Sequence, residues 1–283
     1  MNYQPFSVSI CVYGGDNPNH FDIAMRSIIT QTIQPSEIVL TIDGPISNDI
    51  ELIISNYSDE LKESIIVFKV IRLEKNMGHG EARRVCFSNC SYPIIALMDA
   101  DDYSVPDRFE KQLTYLMSHA NVSVVGSYIT EFISNSNPMD FTHYAGKRIV
   151  PEKDKDIKVF MKSRCPMNQV TTMFYKNDVE SVGGYIDWYC EEDYYLWIRL
   201  ALAGKCFGNI PETLVYVRVG DEMYQRRGGL KYFKSEYKLQ KLMLEKRIIG
   251  SGRYLINVAT RFTVQVLMPN SLRGWLFRKV ARN

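Results

Sequence analysis

The run IIALMDADD, residues 94–102, sets three carboxylates, Asp99, Asp101 and Asp102, directly behind five apolar residues. The apolar part has the length of a buried strand, so the acidic part marks where the chain leaves the core. Carboxylates crowded in this way repel one another unless a cation or a proton intervenes. Mg²⁺ and Mn²⁺ favour hard oxygen ligands, commonly one or two carboxylates completed by substrate phosphates. The alternative is a solvated acidic turn. Its position behind a strand favours the metal-diphosphate reading.

Upstream of that run the pattern repeats. The sequence predicts a strand over Phe6–Tyr13 followed by a polar loop through Gly14, Gly15, Asp16, Asn17 and Pro18, a helix over Phe21–Thr32, and a strand over Glu37–Ile42 ending at Asp43-Gly44. A helix over Ile50–Tyr57, a strand over Ile65–Ile71 and a helix over Glu81–Asn89 follow. Strands alternating with helices indicate an α/β fold with a mainly parallel, Rossmann-like central sheet flanked by helices. Ligands of such sheets bind beyond the carboxyl ends of the strands, which gathers Tyr13–Asp16, Asp43, Asn76–Arg83 and Asp99–Asp102 around one cleft.

Downstream, the reading is a helix over Phe109–Ser118, a strand over Val122–Ile129 and a long polar loop over Ser134–Lys158. A strand over Thr171–Tyr175, a turn at Gly183-Gly184, a helix from Glu192 to Gly204 and a strand over Leu214–Val217 complete the pattern, with mostly helical chain beyond Gly229. The chain beyond this pattern, 221–283, forms a basic C-terminal region.

The chain has 283 residues, 46% hydrophobic and 23% charged, which excludes a disordered or disulfide-scaffold protein. Its six cysteines lack the close pairs of a zinc or iron-sulfur site, which fits a reducing compartment. The first residues lack the basic and apolar regions of a secretion signal, and no window has the ~18 apolar residues of a membrane span, so a cytoplasmic location is expected. Residues 231–283 carry twelve Lys and Arg against two Glu, a net +10, while the preceding 230 residues carry −8. Such a tail suits nucleic acid, anionic lipid or plain solvent.

Further candidates depend on context. Asp43 is placed to accept bonds from a base or ribose, although Asp-Gly is also a common turn. Asn76-x-Gly78-x-Gly80-x-x-Arg83 offers compact backbone and a cation for phosphate, without the form of a dinucleotide fingerprint or a P-loop. Glu191, Glu192 and Asp193 precede an amphipathic run; one could be a general base for a hydroxyl, or they could cap a helix. Arg226 and Arg227 could clamp a leaving diphosphate or lie on the surface. His20, His79, His119 and His143 lack metal-ligand spacing, and only His79 falls near the cleft.

Taken in order, SVSICVYGGD, the SIITQTIQPSEIVLTIDG run, NMGHGEARR, IIALMDADDYSVPDRFEKQ and GGY followed by EEDYYLWIRLALAG resemble family 2 glycosyltransferases of the GT-A fold, particularly bacterial O-antigen and capsular polysaccharide enzymes. The resemblance spans about residues 6–220 and implies a catalytic domain over 1–220, with a nucleotide-sugar half of about 1–105 and an acceptor half of about 106–220. It implies that Asp43 contacts uracil, that Tyr13 and Asp16 seat the nucleotide, and that Asp99 lies near ribose and diphosphate. Asp101 would be the principal Mn²⁺ or Mg²⁺ contact with Asp102 in support. Asp193 would be the general base, assisted by Glu192. Two positions depart from the pattern: Arg84, where Asn is usual, and Gln169, where His is usual.

The implied reaction is inverting transfer of galactose or glucose from a UDP-sugar to an undecaprenyl-diphosphate-linked amino sugar, forming a β-bond. The apolar and basic residues from Tyr254 onward would then lie on the cytoplasmic face of the inner membrane, or pack on the catalytic domain. Two competitors remain: a metal-dependent nucleotidyl or phosphoryl transferase, and a nucleic-acid-binding module. The second leaves the carboxylates unexplained, and no zinc finger or RNA-recognition motif accompanies the charge.

Overall fold

The computed structural model describes residues 3–133, 140–141, 143–220 and 228–269. In chain order the elements are β1 (Phe6–Tyr13), α1 (Pro18–Ile29), β2 (Glu37–Asp43), α2 (Asn48–Glu60), β3 (Val67–Leu73), α3 (His79–Asn89) and β4 (Ile94–Asp99). Next come β5 (Tyr103–Ser104), α4 (Arg108–Ser118), β6 (Val122–Phe132), β7 (Tyr144–Arg148), α5 (Asp154–Phe160), β8 (Met173–Tyr175) and α6 (Lys176–Ser181). The chain continues through α7 (Glu192–Leu202), β9 (Cys206–Arg218), α8 (Leu230–Glu245) and α9 (Ser251–Phe262).

The sheet order is β3-β2-β1-β4-β8-β6-β9-β5, with β7 also on β6. From β3 to β4 every pairing is parallel, as the βα alternation requires. Beyond β4 the sheet is mixed: β8 is antiparallel to both β4 and β6, and β6 is parallel to β9. Strand order reverses between β1 and β4, opening a crevice at their carboxyl ends.

Both faces of the sheet are covered. Phe6, Val8, Ile10 and Val12 of β1, with Ile94, Ala96 and Met98 of β4, pack toward α1, α2 and α4. The alternate residues Ile95 and Leu97 face Cys86 and Phe87 of α3 and Leu196 and Trp197 of α7. Period-two alternation on a doubly covered sheet yields the continuous apolar runs seen in the sequence. Leu239 and Met243 of α8, and Ile249 after it, enter the second cluster, so the change of charge at residue 231 is not a boundary of packing.

Helix α1 starts earlier than its apolar pattern, because Asn17 accepts from the N–H groups of Asn19 and His20 and Pro18 takes the first helical position. Helix α2 likewise begins behind a Ser47 cap. The segment read as a polar loop contains β7 and α5. Both are short and sparing in apolar residues, so they carry little periodic signal. Strand β9 is far longer than the four residues expected, because Pro211 and Glu212 sit at an irregularity in its pairing with β6.

Candidate active site

The crevice holds a cavity of about 390 Å³ lined by Tyr13 and Asp16 after β1, Asp43 after β2, Asn76, Gly78 and His79 before and at the start of α3, and Asp99 and Asp101 after β4. Four segments read separately in the sequence therefore meet. The Asp16 carboxylate accepts the Tyr13 N–H at 2.9 Å, tightening the loop, and the Tyr13 ring folds over Gly15, where a side chain would collide at 2.6 Å. Asp43 accepts from the backbone of the neighbouring loop, Met77 N–H at 2.6 Å and Gly78 N–H at 3.0 Å. Gly44 has φ +84°, and a Cβ there would come within 2.4 Å of the Asn76 nitrogen. Only glycine permits that approach.

Asp99 is held by Arg83, whose Nη2 donates to Oδ1 at 2.7 Å while the guanidinium side chain is 1% exposed. Burial by itself would raise the Asp99 carboxyl, but the Arg83 charge holds it below its ordinary value. At Asp101 burial, followed by repulsion from Asp99 and Asp16, outweighs the attraction of Arg218 and pushes the carboxyl up to about 6. Asp102 turns inward, 2% exposed, accepting the Arg218 N–H at 2.9 Å from the end of β9. It does not line the cavity.

Among the described residues no group of three His, Cys, Asp or Glu forms a ready metal cage. Asp99 and Asp101 nevertheless fit an oxygen-seeking divalent ion that draws its remaining ligands from a bound diphosphate. The raised Asp101 carboxyl shows electrostatic stress that a cation would relieve.

The acidic triplet at the start of α7 does not cap that helix: Glu191, at the N-cap, makes no side-chain cap bond. Its carboxylate instead accepts the Tyr232 hydroxyl of α8 at 2.9 Å. The Glu192 Oε1 meets His79 Nδ1 at 2.8 Å, and His79 Nε2 lies 2.8 Å from Arg83 Nη2. A guanidinium can only donate, so Nε2 accepts and the ring proton sits on Nδ1, directed at Glu192. Asp99, Arg83, His79 and Glu192 thus form a continuous chain from one wall of the site to the other. Burial alone would raise the Glu192 carboxyl, yet the His79 bond holds it low.

Asp193 is partly solvent-accessible, whereas Glu191 and Glu192 are buried. Burial, with the Glu192 charge beside it, pushes the Asp193 carboxyl up to about 6. A carboxylate so tuned is poised to accept a proton near neutrality. Cys165 Sγ lies 3.5 Å from its Oδ2. His79, Cys165 and Arg218 escaped the sequence reading; the only trace was the placing of His79 near the cleft. Arg226 and Arg227 lie outside the described residues.

The fold is GT-A, and it matches Staphylococcus aureus TarS 1–349 in complex with UDP-GlcNAc, with a TM-score of 0.66 at 15% identity over 97% of this chain and 79% of that one. Residues 7–180 match Glycosyl transferase family 2, and the chain belongs to that family. An uncharacterized glycosyltransferase of Haemophilus influenzae is 37% identical, covering 98% of this chain and 99% of its own. The Escherichia coli UDP-Gal:alpha-D-GlcNAc-diphosphoundecaprenol beta-1,3-galactosyltransferase is 33% identical, covering 98% and 96%.

Proposed function

We propose that this glycosyltransferase moves a hexose, galactose or glucose, from a UDP-sugar to a hydroxyl of an undecaprenyl-diphosphate-linked amino sugar, with inversion, during O-antigen or capsule repeat-unit synthesis. The observation that carries the proposal is a nucleotide-sized cavity at the strand ends that is tied through His79 and Glu192 to the acidic triplet of α7. The name of the Escherichia coli relative supports the choice of donor and acceptor.

In this reading Tyr13, Asp16 and Asp43 seat the nucleotide, with Gly78 offering backbone beside it. Asp99 and Asp101 would hold Mn²⁺ or Mg²⁺, which supplies positive charge against the departing diphosphate. Arg83 fixes Asp99 and, through His79, keeps Glu192 ionised. Asp193 removes the proton from the acceptor hydroxyl as that oxygen attacks the anomeric carbon opposite the leaving group, so an α-linked donor gives a β-product. The test is product formation from a panel of labelled UDP-sugars with a synthetic lipid-diphosphate amino sugar and Mn²⁺ or Mg²⁺. One donor should give a labelled lipid-linked disaccharide, lost in Asp101→Ala and Asp193→Ala; a product retaining the donor configuration would refute inversion.

We also place the enzyme at the cytoplasmic face of the inner membrane. No helix among the described residues is long and apolar enough to cross a bilayer. Helix α9 directs Asn257 and Arg261 at the protein, bonding the Lys162 and Ser163 carbonyls at 2.8 Å, while Leu255, Ile256 and Phe262 face outward. A helix docked by its polar side with its apolar side exposed suits a lipid surface. Flotation with anionic liposomes should be lost in Leu255→Ser/Ile256→Ser; undiminished flotation would remove α9 from that role.

A further inference from the structure

A second cavity, of about 400 Å³, is lined by Trp188 and Tyr189 on one side and Lys231, Lys234 and Lys238 of α8 on the other. We propose that it holds the diphosphate of the lipid-linked acceptor, with the aromatic pair against the sugar that carries it; the proposal rests on the substrate reading above. The three lysines, spaced i, i+3 and i+7, share one helix face. Among the described residues no carboxylate lies within ion-pair distance of their ammonium groups. Clustered like charges are relieved by an anion, and a diphosphate is the most highly charged part of such an acceptor. Helix α8 also begins at Gly229 without a side-chain cap, so its positive end lies beside Lys231.

The place of the cavity fixes which diphosphate it serves. Asp187, a carboxylate that also lines the cavity, packs against Gly80, where a Cβ would sit 3.1 Å from Oδ1; Gly80 follows His79 of the first cavity. The two spaces therefore adjoin across the start of α3. Residues 187–189 run directly into Glu191–Asp193. Ser235 of α8 donates to the Tyr189 carbonyl at 2.6 Å, and Trp188 Nε1 donates to the Ser235 carbonyl at 3.4 Å. The lysine face and the base are thus fastened to one loop. The donor diphosphate belongs to the separate wall of Asp99 and Asp101. Lys231 Nζ lies 4.0 Å above the Tyr189 ring, which sets an aromatic surface against the cation.

The test compares wild type with the combined Lys231→Gln, Lys234→Gln, Lys238→Gln variant and with Lys241→Gln/Lys246→Gln, which removes exposed charge outside the cavity. The readout is the ratio of kcat/KM for a lipid-diphosphate amino sugar to that for the same amino sugar on a phosphate-free alkyl chain. We expect the ratio to fall about tenfold or more in the cavity variant and to stay put in the control. In parallel, geranyl diphosphate is titrated into each protein with the donor cavity filled by UDP and excess Mg²⁺. Binding should depend on the three lysines. Lysine-dependent binding without transfer to any lipid-diphosphate acceptor would sink the substrate reading and leave an anion site. An unchanged ratio and unchanged affinity in a folded variant would overturn the inference. So would loss of flotation on phosphatidylglycerol vesicles with geranyl diphosphate affinity intact, which would make the face a membrane contact.

Discussion

At the carboxyl ends of β1 and β2 the cleft's carboxylates are held by backbone, Asp16 by the Tyr13 N–H and Asp43 by the Met77 and Gly78 N–H groups, while at the end of β4 Asp99 takes the Arg83 side chain. On the acceptor side, each carboxylate of the triplet meets a side chain distant in sequence. Glu191 takes the Tyr232 hydroxyl, Glu192 takes His79, and Asp193 faces Cys165. The nucleotide wall is assembled from parallel βα units whose loops are preset by their strands. The acceptor wall exists only once α3, α7 and α8 have packed together.

The largest expected effect breaks the acceptor side at its centre. Asp193→Asn should lower kcat by about 10²–10⁴-fold while UDP binding by calorimetry persists, because the donor wall does not include Asp193. In wild type the base must be ionised, so with its carboxyl at about 6 the rate should fall roughly tenfold per pH unit below that value and level off above it. A flat acid limb would assign the proton acceptor elsewhere.

Packing comes next. Leu239→Ala deletes a fully buried side chain shared by α8 and the core around Trp197, and should cost about 2–5 kcal/mol in chemical denaturation. A single cooperative transition is expected, since α8 belongs to that core; a separate early transition would detach the C-terminal helices from the catalytic body.

His79→Asn tests the link between the walls. It should reduce kcat roughly tenfold, about the loss of one charge-assisted hydrogen bond, with little change in UDP affinity. Loss confined to donor affinity would confine His79 to the nucleotide side. The smallest effect is expected from Tyr232→Phe, which leaves Glu191 without its hydroxyl donor; about 1 kcal/mol of stability should go, with acceptor KM rising more than donor KM.

Much of this was legible beforehand. The β1–β4 half, with Tyr13, Asp16, Asp43, Asp99 and Asp101 lining one cavity, follows from apolar runs punctuated by polar residues, because a doubly buried strand announces itself and its loop can emerge only at one end. Other features were not. Asp102 belongs to the same acidic run as Asp101, yet the return of β9 draws it inward to the Arg218 N–H. His79 looked like an isolated histidine because its partners, Arg83 one turn away and Glu192 in another helix, become its partners only by docking. The basic stretch after residue 228 read as one charged tail. Its lysines and its apolar residues were divided between a cavity beside the 187–189 loop and an outward helix face by the packing of α8 and α9. Sequence by itself determined the α/β order, the donor cleft and its acidic character, because these depend on neighbours along the chain. Tertiary structure decided which carboxylate is paired, which is raised and which stays accessible, because burial and charge partners arise from contacts between segments far apart in sequence.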